Sequence, residues 1–165
     1  MNKKTIKILL SSVLMLIVII TCLSGCSFNG GLSVSNYVDT LNNDVHRTVN
    51  LTRRYKKIHE SLDPRSPEDA KQAIEILNEL SDICSEIVKL DAPDRYNDID
   101  DDLKINSSEA LASLSELKDL INVSLETGND KMYKTDSKKL FDKYEKAYLE
   151  IVDLNSVAQT RYRND

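Results

Sequence analysis

Asp63-Pro64-Arg65-Ser66-Pro67-Glu68-Asp69 is the stretch on which the fold turns. A residue that precedes proline is pushed out of the helical region, so Asp63-Pro64 ends any helix that reaches it. Ser66 then offers a capping hydroxyl, Pro67 suits the first helical position, and Glu68 and Asp69 place acids in the first turn. A stop and a start this close together predict two helices joined by a short connection. Short connections make neighbouring helices antiparallel.

The pattern on either side agrees. Upstream, over residues 34–62, Val34, Val38, Leu41, Val45, Thr48, Thr52, Tyr55 and Leu62 recur three or four residues apart and form one stripe. Downstream, to about residue 90, Ala73, Leu77, Leu80, Cys84 and Ile87 do the same. Asp91-Ala92-Pro93-Asp94 breaks the chain and restarts it. A third helix, to about residue 126, follows Leu103, Ala110, Leu114, Leu117 and Ile121. Thr127-Gly128-Asn129-Asp130 supplies a glycine stop and a polar restart. A fourth, to about residue 162, carries Leu140, Tyr144, Ala147, Ile151, Leu154 and Ala158.

There is no Trp, only 4 Gly and 3 Pro, and no run of β-branched residues alternating with polar ones after the first 25 residues. The expected fold is all-α: an up-down-up-down four-helix bundle over residues 34–165. In that topology the first residues of the bundle, the 91–94 connection and the C-terminus share one end. The 63–66 and 127–130 connections share the other.

Residues 1–25 read as an export signal. Lys3, Lys4 and Lys7 precede an apolar run from Ile8 to Ile20 that is short for a membrane span. The run closes on Leu23-Ser24-Gly25-Cys26, which resembles the lipobox of bacterial lipoproteins at every position. The resemblance implies cleavage before Cys26 and diacylglycerol on its thiol, where a palmitate-type label would enter. The expected location is the extracytoplasmic face of the cell membrane, lipid-anchored. Residues 26–33, with Gly30 and Gly31, then make a short tether. The stretch Leu90-Asp91-Ala92-Pro93-Asp94-Arg95-Tyr96 resembles small helical lipoproteins of Gram-positive bacteria, a likeness that transfers no site residues.

Taking 25 residues from 165 leaves 140, one domain's worth. Removing the three leader lysines from 22 Lys and Arg leaves 19 against 27 Asp and Glu, a net −8 that argues against nucleic acid as a partner. Of three cysteines, Cys22 leaves with the leader and Cys26 takes lipid, so Cys84 cannot form an internal disulfide. Its helical spacing reads as a buried small hydrophobe.

Chemical motifs are few. Asp98, Asp100, Asp102 and Glu109 fall at calcium-loop spacing, but Leu103 stands where such a loop turns on Gly, and Leu103 is in phase with Ala110 and Leu117. The segment reads as continuous helix with acids near its start. His46 and His59 lie thirteen residues apart without ligand partners at metal spacing. No phosphate loop or nucleophile motif is present. The expectation is a protein without catalytic residues, metal or cofactor.

Charge is more informative. The first and fourth helices are rich in bases, the second and third in acids, which gives either a basic and an acidic side or pairs across the seams. Arg53, Arg54, Lys56 and Lys57 near the far end of the first helix should meet Lys131, Lys134, Lys138 and Lys139 in the first turns of the fourth, where positive charge opposes the helix dipole. Tyr55 and Tyr133 lie among them. Arg53, Arg54, Tyr55, Lys57, Tyr133, Lys134, Lys138 and Lys139 form the candidate binding surface, for an acidic protein segment or an anionic envelope polymer. The alternatives are a structural spacer or oligomeric scaffold at the cell surface, or an enzyme whose site the motifs do not reveal.

Overall fold

A computed structural model describes residues 32–164. The leader, Cys26 and the first part of the tether lie outside the described residues. Four helices follow one another: α1 (Val34–His59), α2 (Pro67–Lys89), α3 (Asn97–Thr127) and α4 (Lys131–Arg163), with a single 3-10 turn, Asp94–Tyr96, leading into α3.

The local signals place the helix ends. The Ser33 hydroxyl accepts from Asn36 N at 3.3 Å, and the Ser66 hydroxyl accepts from Asp69 N at 3.4 Å with Pro67 opening α2. Gly128 closes α3 at φ 67°, a left-handed conformation that glycine adopts without a Cβ penalty. α1 stops at His59, three residues before the expected Leu62. Ser61 N turns back to Ile58 O, and half-buried Leu62 contributes to the core from the connection. The 98–109 stretch is helical throughout, as the phase of Leu103 requires.

The topology is up-down-up-down. Leu32 N donates to Asp91 O at 3.3 Å, so the start of α1 meets the α2–α3 connection. Arg161 on α4 clasps Asp98 at the start of α3 through two bonds of 2.8 Å. At the opposite end Arg65 reaches Asp130 at 3.3 Å, joining the other two connections. Helices adjacent in sequence pack on one another, and α1 packs on α4 to close the ring.

The core is one continuous cluster drawn from all four stripes, including Leu41, Leu77, Leu80, Leu114, Ile121 and Tyr144. α3 buries Ser107, Ala110, Ser113 and Ser124 among its leucines, small side chains that let its neighbours approach closely. Ser113 and Ser124 satisfy their hydroxyls on carbonyls one turn back. Two polar bridges cross between α1 and α4. Thr52 Oγ1 and Tyr144 Oη lie 2.6 Å apart, and Asn42 Oδ1 accepts from both Asn155 and Gln159. Such bonds, the first buried and the second part-buried, fix which faces meet, because a rotated helix would leave them unpaired. Cys84 is buried, and burial pushes its thiol up to about 12, so it packs as a small hydrophobe.

Leu77 has no solvent exposure. Leu77→Ala should lower unfolding free energy by about 2–5 kcal/mol, lost transfer energy plus a cavity, with the helix content of the folded state unchanged. Urea titration followed by circular dichroism measures it. A loss well under 1 kcal/mol would mean that the four stripes do not share one core.

Candidate functional site

The site is assembled where α1 ends and α4 begins. Arg53, Arg54, Lys56 and Lys57 are all exposed on α1, while Tyr55 between them points inward with no exposure. This follows from the helical period: Tyr55 continues the stripe of Leu41, Thr48 and Thr52, and its neighbours cannot share that face. Tyr55 packs on Phe141 with ring centroids 5.3 Å apart and on His59 at 5.4 Å. It is a core aromatic, and the expectation of a surface role for it is corrected.

Tyr133 is also buried, at 4% exposure, but its hydroxyl reaches His59 Nδ1 at 3.1 Å. Tyr133 therefore backs the floor of the site rather than offering an open aromatic face. His59, Phe141, Tyr133 and Leu62 floor a groove of 580 Å³ between the two helices. Its α4 wall carries Lys134, Ser137, Lys138, Asp142 and Glu145, and its α1 wall Lys56 and Glu60. Lys56 Nζ spans the groove's inner end to Glu145 Oε1 at 2.8 Å. Lys134 turns to Asp130 at 2.9 Å.

Of the eight expected residues, the groove gathers Tyr133, Lys134 and Lys138. Tyr55 lies in the core beside two of the floor rings, and Arg53, Arg54 and Lys57 stand exposed on α1 outside the groove lining. Lys139 is on another face of α4. It lines a separate depression of 370 Å³ with Glu116, Asp119, Leu120, Met132, Asp136 and Leu140. Lys56, His59, Phe141 and Glu145 were missed as site residues. Lys56 belongs to the same basic run as its neighbours, and His59 lies one turn beyond Tyr55, so the register of α1 was the available signal.

The start of α4 runs against the helix dipole. α4 starts at Lys131 with no acid in its first turn, so Lys131 and Lys134 oppose the macrodipole. Lys138 and Lys139 lie two turns further in, beyond its reach. Asp130 does not cap the helix through its side chain, because its carboxylate is engaged by Lys134 and Arg65. Asn129 Oδ1 accepts from Lys131 N instead.

Both readings of the charge pattern hold in part. Arg47–Glu86 pairs across the α1–α2 seam at 3.1 Å and Arg161–Asp98 across α3–α4, but Lys56–Glu145 joins α1 to α4. Few charges are consumed this way. Residues 50–60 and 131–146, the adjoining ends of α1 and α4, carry ten Lys and Arg against four Asp and Glu. Such an imbalance favours anions near these two helix ends.

The other end of the bundle is a clamp. The Arg95 and Arg161 guanidinium groups each lie 5.3 Å from the Tyr96 ring centroid, and Arg161 also donates to Arg95 O. The Arg161 guanidinium holds Asp98 down to about 2. Buried Tyr37, 5.5 Å from Tyr96, has its phenol pushed up, first by burial and then by the Asp100 carboxylate. Among the described residues no three His, Cys, Asp or Glu come together as a metal site. No protein-family model matches the chain, and neither does any curated protein or solved structure.

Burial lowers the His59 pKa, against the pull of Glu60, Asp142 and Glu145. In the unfolded chain an imidazole titrates near 6.5. On acidification the unfolded state therefore takes up this proton first, and stability falls as pH drops through about 6.5 until the folded imidazole also titrates. His59→Phe keeps a ring in place and removes the proton site. Between pH 7 and 5 the wild-type Tm should fall more steeply than that of the variant. Parallel curves would show that folding leaves His59 unperturbed.

Proposed function

We propose that the protein is a membrane-tethered, non-enzymatic binding module that presents the α1/α4 basic face to an acidic protein segment or an anionic polymer of the cell envelope. The observation that carries this reading is the ten-to-four excess of bases on two helix ends that pack together, in a chain that is acidic as a whole. Sequence alone supplies the tether: Cys26 in its Leu-Ser-Gly-Cys context would carry diacylglycerol, and two acyl chains anchor stably where one does not. No helix among the described residues is long and apolar enough to cross a membrane.

Position supports the reading. From Cys26 to Ser33 the chain spans at most about 25 Å, and it enters the bundle at the start of α1. The 26 residues of α1 extend about 39 Å. The basic face lies at the far end of that rod, where the tether would leave it exposed to partners. Clustered Lys and Arg there would raise the association rate of an anionic partner in a salt-dependent way.

Two measurements bear on it. Cys26→Ala should abolish metabolic labelling by palmitate and release the protein from membranes, and labelling that survives the change would remove the anchor from the reading. Separately, Arg53→Glu, Arg54→Glu, Lys134→Glu and Lys138→Glu combined should weaken binding to polyglutamate at least tenfold and flatten its dependence on salt. All four side chains are exposed, so the fold should tolerate the change. Undiminished binding would leave these charges as solvated surface.

A further inference from the structure

We infer that the groove between α1 and α4 seats an uncharged aromatic side chain of an acidic peptide segment, the peptide's carboxylates lying outside the groove over the surrounding bases. The inference rests on the binding reading above and decides between its two candidate partners. An anionic polymer needs only the charged face. A peptide can also use what lies at its centre.

That centre is not built for an anion. Within the groove Lys56, Lys134 and Lys138 are balanced by Glu60, Asp142 and Glu145, and the strongest pair, Lys56–Glu145, is closed on itself. His59 adds no charge at neutral pH, since burial holds it unprotonated. The floor is aromatic and aliphatic, with Phe141 5.0 Å from the His59 ring. A carboxylate placed here would lose its water to rings and meet Glu60 and Asp142. An uncharged ring would pack on the half-buried His59 and Leu62, backed by the buried Phe141 and Tyr133, and the groove volume of 580 Å³ accepts one with room for flanking backbone. Interface energetics commonly take this form, an aromatic anchor in a pocket with complementary charge around it.

Length fits as well. Along α4 the groove runs from Lys134 to Glu145, about 16 Å at the helical rise. Roughly five extended residues cover that distance. Positions beyond the anchor then fall over Lys134 and the exposed bases of α1.

The chain contains no tryptophan, so a peptide's own tryptophan reports its environment without background. The full chain in non-ionic detergent is titrated into a nonapeptide with tryptophan at the centre of eight glutamates, with peptide and micelles alone as the blank. The same peptide with alanine at its centre, carrying a terminal dye, and a poly(glycerol phosphate) competitor complete the set. The tryptophan peptide should bind at least tenfold tighter than the alanine peptide, with its emission shifted to the blue. Leu62→Phe, at a half-buried and uncharged position of the groove, narrows it and should shrink that difference while leaving the alanine peptide's affinity unchanged. If Leu62→Phe does not fold, the emission shift in the wild type decides. Equal affinity of the two peptides with emission at its solvent value, or equal competition by the polymer, would overturn the inference and leave the charged-face reading standing. Binding of none of the three probes would overturn both.

Discussion

Each helix of this protein has one apolar stripe that it cannot bury alone, and every other feature depends on how the four stripes are closed against one another. Isolated helices of 23 to 33 residues with so many exposed charges would be marginal in water. An antiparallel ring buries all four stripes in one core while the connections stay short. Closure requires α1 and α4 to meet although they are far apart in sequence. Thr52–Tyr144, buried, and Asn42 with Asn155 and Gln159, part-buried, specify that contact with polar bonds. The basic face exists because of it: neither α1 nor α4 makes that face alone.

Most of the architecture was legible in the sequence because its signals are local. Proline and glycine breaks mark three connections, Ser66 caps as its position suggests, and a period of 3.6 assigns the core. The error at the end of α1 is instructive. Leu62 continues the stripe, so periodicity extends the helix to it, but Asp63-Pro64 disfavours helical geometry just beyond and the chain turns after His59 instead. The periodic pattern recorded that Leu62 is half-buried, and it could not record that Leu62 reaches the core from a connection.

The site was less legible because a surface is defined by which side chains come together across helices, and periodicity says little about that. Proximity in sequence grouped Tyr55 with Arg54 and Lys56, yet one residue's rotation on a helix separates core from solvent. Proximity likewise grouped Lys138 with Lys139, which the structure assigns to different depressions. His59 went the other way. Judged for metal ligation it had no partners, whereas its role is packing, with Tyr55, Phe141 and Tyr133 around it. The relevant signal was its register on α1, four residues beyond Tyr55.

Charge is also distributed along the bundle's length. Residues 50–76 and 116–146, the half bearing the groove, hold 13 Lys and Arg against 12 Asp and Glu. Residues 32–49, 77–115 and 147–164 hold 6 against 14. The acidic half contains the start of α1, where the tether would join. An anionic bilayer surface would repel that half over a Debye length of about 8 Å at physiological ionic strength. With the proposed lipid on Cys26 the two influences together would favour a bundle that stands away from the surface over one that lies on it. The acids that open α3 have a structural reason in the helix dipole, and Asp98 has another in Arg161. Of the lysines that open α4, Lys134 has a partner in Asp130, but Lys131 and Lys134 both work against the dipole. Folding thus accounts more fully for the acids of one end than for the bases gathered where α1 ends and α4 begins.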